Sequence, residues 1–301
     1  MRIVSLVPHA TELLFALGVG PEVVAVTHEC DHPPEALELP RITRDVLPSG
    51  LGAGEIDAQV RERTLRGEAI YELDREALAQ LEPDLIVTQG LCPVCAVSYE
   101  DVAALAQELA SKPRVIALDP STLGEALGDV RTIAEATGTR EEGVELVRDT
   151  AARIDRVRLA TRSRRRPRVA ALEWLDPVYV AGHWTPQMIE YAGGEDVLGF
   201  PGEPSQTLAW EQVAAADPDV VLVMPCGYDA QRSHEEALTH APALARLTAR
   251  RIVAVNAAAY FSRPGPRLVD GLELLGHILH PARLPDFPAA GEALAVELTP
   301  A

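Results

Sequence analysis

The chain has 301 residues, a length that fits two domains better than one. Its formal net charge of -18 at pH 7 argues against a nucleic-acid partner, because phosphate contacts need a basic patch. No stretch approaches the ~20 apolar residues of a membrane span, and four cysteines in a chain this long do not make a disulfide-stapled scaffold. Met1-Arg2 runs straight into an apolar Ile3–Leu6 segment with no export signal ahead of it. The expectation is therefore a cytoplasmic chain as it stands, and an extracytoplasmic one if the true start lies upstream.

In chain order, Ile3–Leu6 reads as a short buried strand. Thr11 opens a helix through Leu13, Leu14 and Leu17 that stops at Gly18. Val23–Val26 is a second strand. Pro48–Gly54 looks like a loop tip, and helices are expected at 56–66, 74–81 and 99–110. Between them, Leu85–Val87 and Val115–Leu118 are β-branched runs of the kind buried on both faces of a parallel sheet. From 122 to 161 the pattern is helical and proline-free, with a break or cap expected at Thr137-Gly138-Thr139. Arg162–Pro167 ends it. Strands follow at Val169–Trp174 and Tyr179–Val180, then a helix at 186–192 that ends on Gly193-Gly194, strands at 220–224 and 252–255, and a closing helix at 266–279. The Pro/Ala-rich tail from Pro281 is expected to be mobile.

One segment occurs twice. EALAQLEPDLIVTQG at 76–90 is echoed by EQVAAADPDVVLVMP at 211–225, and Arg114–Leu118 by Arg251–Val255. A repeat spaced by about half the chain means two similar lobes rather than a solenoid. The expected fold class is α/β, with two similar lobes of mainly parallel sheets joined by a long backbone helix. The boundaries are 1–120 for the first lobe, 121–164 for the connecting helix, 165–281 for the second lobe and 282–301 for the tail. In open α/β sheets, ligands bind beyond the carboxyl ends of the strands. Those ends here are Pro8-His9, His28–His32, Gln89–Cys95, Glu173-Trp174, Pro225–Tyr228 and Tyr260–Arg263, and the polar, aromatic and sulfur-bearing residues gather there. A site between the two lobes is expected.

The opening IVSLVPHATELLFALG, the CDHPPEA at 30–36, the repeated helix-strand unit and the closing YFSRPGPRLVDGLELLGHIL at 260–279 resemble the substrate-binding proteins of ABC importers for cobalamin and iron-siderophores. This is the helical-backbone class III of periplasmic binding proteins. The resemblance covers residues 2 to 281 and lies nearest the cobalamin branch. It implies capture and delivery of a small metal chelate without catalysis, cobalamin or another corrinoid as ligand, an ABC permease as partner and a monomer with no required cofactor. It also implies one exposed glutamate per lobe for transporter docking, carried onto Glu76 and Glu211, although an acid there equally suits a helix first turn. About twenty residues around 45–70 look inserted relative to that family.

For a flat macrocycle held by aromatic faces and a few polar anchors, the candidate ligand-binding residues are Pro8, His9, His32, Gln89, Glu173, Trp174, His183, Trp184, Tyr228, Tyr260, Phe261 and Arg263. His9, His28 and His32 are expected on the first-lobe rim and His183 on the second, as imidazoles able to ligate cobalt or iron. Trp174 and Phe261 serve equally well as core. Cys92-Pro93-Val94-Cys95, with Cys226, His28 and Cys30, forms a candidate zinc or iron site, against the alternative of free buried cysteines. Two other readings stand beside the importer: a cytosolic metal- or cluster-binding protein, possibly enzymatic, using that sulfur set, and an iron-siderophore or haem binder.

Overall fold

The computed structural model describes residues 1–48, 50–90, 99–285 and 291–298. The chain divides into two compact units, one of Met1–Pro120 with Gly124–Val147 and one of Ser121–Leu123 with Arg148–Ala301.

In the first unit the elements are β1 (Ile3–Ser5), α1 (Pro8–Ala16), β2 (Val23–Ala25), β3 (Thr43–Asp45), α2 (Ala53–Leu65), β4 (Tyr71–Leu73), α3 (Arg75–Leu81), β5 (Leu85–Gln89), α4 (Tyr99–Glu108) and β6 (Arg114–Leu118). Strands β2-β1-β5-β6 form an all-parallel sheet. Successive residues of a strand face opposite sides, and both sides are covered. Ile3, Leu85 and Val87 pack with Leu13, Leu14, Leu17 and Ile133, while Val4 and Ile86 pack with Leu78, Val102 and Leu105. That is why these strands read as unbroken apolar runs. Helix α1 begins at Pro8, three residues before the expected start. Proline at the first turn lacks only an N–H that would be unpaired there anyway. Thr11, which looks like a cap, instead donates its hydroxyl inward to Ser5 Oγ at 2.8 Å.

The connecting helical stretch over 121–164 is two helices, α5 (Leu123–Thr137) and α6 (Arg140–Thr161), broken at Gly138 with φ 77°, where the sequence places a break or cap. The second unit continues with β7 (Arg168–Leu175), β8 (Val178–Val180), α7 (Thr185–Tyr191), β9 (Glu195–Asp196), β10 (Gln206–Thr207), α8 (Trp210–Ala215), β11 (Val220–Val223), α9 (Ala230–Thr239), α10 (Ala241–Leu244), β12 (Arg251–Val255), α11 (Ala257–Tyr260), α12 (Leu268–Leu279) and β13 (Ala293–Ala295). Its sheet order is β10-β8-β7-β11-β12-β13, with β9 also on β7; β7, β11 and β12 are parallel to one another. The tail expected to be mobile from 282 departs from that reading at its far end. There β13 pairs antiparallel with β12, and Val296 is buried in the sheet's core cluster. Arg153 of α6 holds α12 through Glu273 (3.0 and 2.6 Å) and Asp270 (2.5 Å).

The repeat is structural as well as textual. Strands β1, β5 and β6 correspond to β7, β11 and β12, and helices α3 and α8 precede the middle strand of each trio. Gly18 and Gly193, at φ 79° and 81°, end α1 and α7 in the left-handed conformation that suits glycine. Glu82 and Asp217, at φ 44° and 45°, take the same conformation after α3 and α8.

The second acid of each repeated Pro-Asp pair locks the strand heads. The backbone N–H of Arg2 donates to Asp84 Oδ2 at 2.7 Å, and the Asp84 N–H returns to Arg2 O at 2.8 Å. The Arg168 N–H donates to Asp219 Oδ2 at 3.1 Å, and the Asp219 N–H returns to Arg168 O at 2.8 Å. Each arginine side chain then reaches back to the preceding helix, Arg2 to Leu81 O (2.6 Å) and Arg168 to Ala216 O (2.7 Å).

Asp84→Ala and Asp219→Ala are each expected to destabilise by about 1–2 kcal/mol, seen as a lower urea midpoint with unchanged slope. Unchanged midpoints in both would remove the lock from the account. The Arg168 N–H, then the charges of Arg165, Arg250 and Arg168, hold the Asp219 carboxyl below its ordinary value. Its contribution is therefore full above the usual carboxylate range and lost as pH falls through the lower folded value.

Candidate functional site

Because the strands of each trio are parallel, their carboxyl ends gather on one edge, and the chain there must turn before crossing back.

In the first unit, β1 leads into half-buried Pro8 and buried His9, β2 into the loop Thr27–His32, and β5 into Gln89. The N–H of Gly90 donates to Asp119 Oδ1 at 3.1 Å, tying the end of β5 to the end of β6. Beyond it on α5, the Asp129 carboxyl is pushed up to about 7, first by burial and then by the charges of Asp119 and Glu125. His9, expected on the rim, is buried at 2% exposure on the inner side of α1. His32 is exposed, beside a cis bond to Pro33. His28 is half-buried, with Nδ1 2.8 Å from Thr43 Oγ1. Cys30 is buried, its sulfur 3.1 Å from the hydroxyls of both Thr11 and Thr27.

In the second unit, the end of β7 carries Glu173 and Trp174. The Cys226 N–H donates to Glu173 O at 3.2 Å, and the Gly227 N–H to Ser262 Oγ at 3.2 Å, so the loops after β7, β11 and β12 meet. Trp174 stands edge-on to Tyr228, ring centroids 5.6 Å apart at 66°. The Arg232 guanidinium covers the Tyr228 ring at 3.6 Å, a cation–π stack that holds the pair. Tyr228 itself is buried at 5% exposure. Trp184, a candidate ligand surface, and Phe261, a candidate for ligand surface or core alike, are core at 6% and 2% exposure, and the Trp184 Nε1–H donates to Phe261 O at 2.7 Å. An aromatic at a loop reads alike in sequence whether it faces the core or a ligand. Trp174, His183, Tyr260 and Arg263 are half-buried.

His183 sits at φ 53°, an unusual conformation for a non-glycine residue. It is braced by its N–H to Glu203 O (2.6 Å) and by the Gly202 N–H to its own carbonyl (2.9 Å). Burial lowers its imidazole pKa, which favours the neutral ring that can contact a metal centre. Glu173 accepts from Ser205 Oγ at 2.5 Å. Burial pushes its carboxyl up to about 7, Ser205 opposes that, and the charge of Asp196 adds to it. Burial likewise raises Asp196 to about 6, against donations from the N–H groups of Gly199 (2.7 Å) and Leu198 (2.9 Å).

Cys92 and Cys95 lie outside the described residues. Among the described residues, no three His, Cys, Asp or Glu side chains gather as a metal-ion site. Cys30 is packed between threonines, and Cys226 is exposed on the loop after β11. Among the same residues, no helix is long and apolar enough to cross a membrane. Ser205, Arg232 and Ser262 were not picked out by sequence. For Arg232 there was a signal, its spacing of four residues from Tyr228 at the start of a helix.

A carboxyl raised by folding stabilises the protein fully below its unfolded pKa and loses that contribution as pH rises through the folded value. For Glu173 that window runs from 4.5 to about 7. Wild-type thermal midpoints should therefore fall across it more steeply than those of Glu173→Gln. Equal slopes would mean that the carboxyl is not desolvated.

Residues 3–252 match the sequence profile of the periplasmic binding protein family. The vitamin B12-binding protein of Vibrio cholerae serotype O1 is 24% identical over 276 residues, 90% of this chain and 86% of that protein. The vitamin B12-binding protein of Pectobacterium atrosepticum is 24% identical over 275 residues, 89% and 84% of the two chains. Among solved structures, the periplasmic vitamin B12 binding protein BtuF of Vibrio cholerae superimposes with a TM-score of 0.67 at 24% identity, over 93% of this chain and 97% of that one. The periplasmic heme-binding protein RhuT from Roseiflexus sp. RS-1 gives 0.69 at 28% identity, over 94% and 98%. With the profile matched over most of its length, the chain belongs to the periplasmic binding protein family.

Proposed function

We propose that this protein is the substrate-binding component of an ABC importer and that it takes cobalamin or another corrinoid. The observation that carries the reading is co-linear similarity to vitamin B12-binding proteins across nine-tenths of the chain. The carboxyl-edge residues are compatible with such a ligand. Trp174, backed by Tyr228 and Arg232, offers an aromatic face. Pro8, Gln89 and Tyr260 supply half-buried surface, and Arg263 and His183 supply polar anchors. A planar, largely apolar macrocycle with amide side chains suits that mixture.

Haem is the second reading, favoured by the 28% identity with the Roseiflexus protein. The imidazole of His183 or of His32 would serve iron or cobalt alike. Glu76 and Glu211 are both exposed in the first turns of equivalent helices, α3 and α8. In the importer reading they meet cationic side chains of a permease, and the protein works outside the cytoplasmic membrane, which cell fractionation checks.

Purified protein mixed with cyanocobalamin should keep its pink colour through desalting at one corrinoid per chain, while hemin serves as the competitor. Trp174→Ala should weaken binding about tenfold, as expected for loss of one aromatic contact. The pair Glu76→Ala and Glu211→Ala should leave that affinity unchanged and lower cellular uptake. No retained corrinoid together with stoichiometric haem would move the ligand to the second reading, and neither ligand retained would defeat both.

A further inference from the structure

The inserted stretch ends in a two-stranded ribbon, β3 against β4, with Thr43 opposite Leu73, Arg44 opposite Glu72 and Asp45 opposite Tyr71. Side chains alternate along each strand, so Thr43 and Tyr71 share one face as diagonal neighbours. Arg44 and Glu72 take the other face, where they form an exposed ion pair at 2.5 Å. The Thr43–Tyr71 face meets the loop Thr27–His32 that follows β2. The His28 N–H donates to Thr43 Oγ1 at 3.1 Å, and His28 Nδ1 lies 2.8 Å from the same oxygen. The Tyr71 hydroxyl donates to Glu29 Oε1 at 3.1 Å, and its ring lies 5.2 Å from the His28 ring at 53°. Just before β3, the Arg41 guanidinium donates to the carbonyls of His28 and, at 3.5 Å, Cys30.

The contacts engage His28, Glu29 and Cys30 in turn, through backbone and side chain. By contrast, the helix between the two strands adds little to the core: along α2 only Ala53 is fully buried. A two-residue turn would be enough to pair β3 with β4. What the ribbon supplies is a fixed frame for a carboxyl-edge loop.

We infer that Thr43 and Tyr71 are positioning residues that hold the His28–His32 loop in its binding conformation, and that the ribbon rather than α2 gives the insertion its purpose. A loop fixed before the ligand arrives loses less entropy on binding, so slackening it weakens affinity even though no ligand contact is removed. The link to affinity rests on the ligand reading above; the effect on the loop itself does not.

The test uses the full chain carrying Thr43→Val, Tyr71→Phe or Arg44→Ala, with amide hydrogen exchange recorded before any ligand is added. Thr43→Val and Tyr71→Phe should speed exchange about tenfold at residues 27–32 alone, as expected for loss of one or two hydrogen bonds. Their thermal midpoints should stay within about 3 °C of wild type. Arg44→Ala, on the far face of the ribbon, should leave the loop unchanged. Replacing 47–68 by a two-residue turn should also leave it unchanged. Cyanocobalamin affinity should fall about fivefold in the first two variants. Wild-type exchange at 27–32 in both Thr43→Val and Tyr71→Phe, or faster exchange spread evenly over the chain, would overturn the inference. Wild-type protein that binds no corrinoid while the loop loosens as expected would defeat the ligand reading and leave the positioning role standing.

Discussion

A trio of parallel strands buried on both faces is the constraint on which each unit rests. Parallel neighbours cannot be joined by a tight hairpin, so each step from β1 to β5 to β6, or from β7 to β11 to β12, needs a crossover. Crossovers cover the two faces with helices and leave two edges with different duties. At the amino edge, Asp84 and Asp219 satisfy the strand heads, and the arginine side chains of residues 2 and 168 close the preceding helices. At the carboxyl edge, the loops keep half-buried indole, imidazole and phenol groups. One edge is fastened, and the other carries the turns into the crossovers.

The two units spend their extra residues differently. The second inserts β8 between β7 and α7 and leads the chain past His183, whose backbone is braced by the stretch from Gly202 to Ser205. Ser205 also meets Glu173, so the same stretch touches both the left-handed backbone of His183 and a half-buried acid. The first unit spends its addition on the ribbon β3–β4, which frames the loop after β2. In both, an added segment fixes a carboxyl-edge loop from outside the parallel core. Half-buried acids with raised pKa, Glu173 and Asp129 among them, sit close to these edges. Part of the formal negative charge is therefore titratable near neutral pH.

Much of the frame is legible in the sequence because burial on both faces leaves a plain apolar record. Leu85–Val87 and Val220–Leu222 announce strands, and the repeated acid-Pro-Asp announces the same turn twice. The structure shows why the acid is there: Asp84 and Asp219 do the same job in each copy. What escaped has no such record. Strands β3 and β4 are three residues each and half charged, so their pairing rests on partners 28 residues apart, as Arg44 and Glu72 are. Strand β13 hides in a tail whose alanines carry little strand preference. Helix α9 is polar on most of its surface, with Ala230, Ser233 and Ala237 as its buried residues. Among the candidate site residues, Trp184 and Phe261 turn out to be core, a placement their local sequence does not decide, because a core aromatic and an exposed one read alike there. The partners of Trp184 and Glu173 lie 77 and 32 residues away.

Mapping amide exchange with and without saturating cyanocobalamin checks the proposed corrinoid binding at the carboxyl edges. Slower exchange is expected at the turns after β1, β2, β5, β7, β11 and β12, and no slowing at the strand heads around Arg2 and Arg168. Protection confined to the amino edges, or absent throughout at saturation, would contradict it.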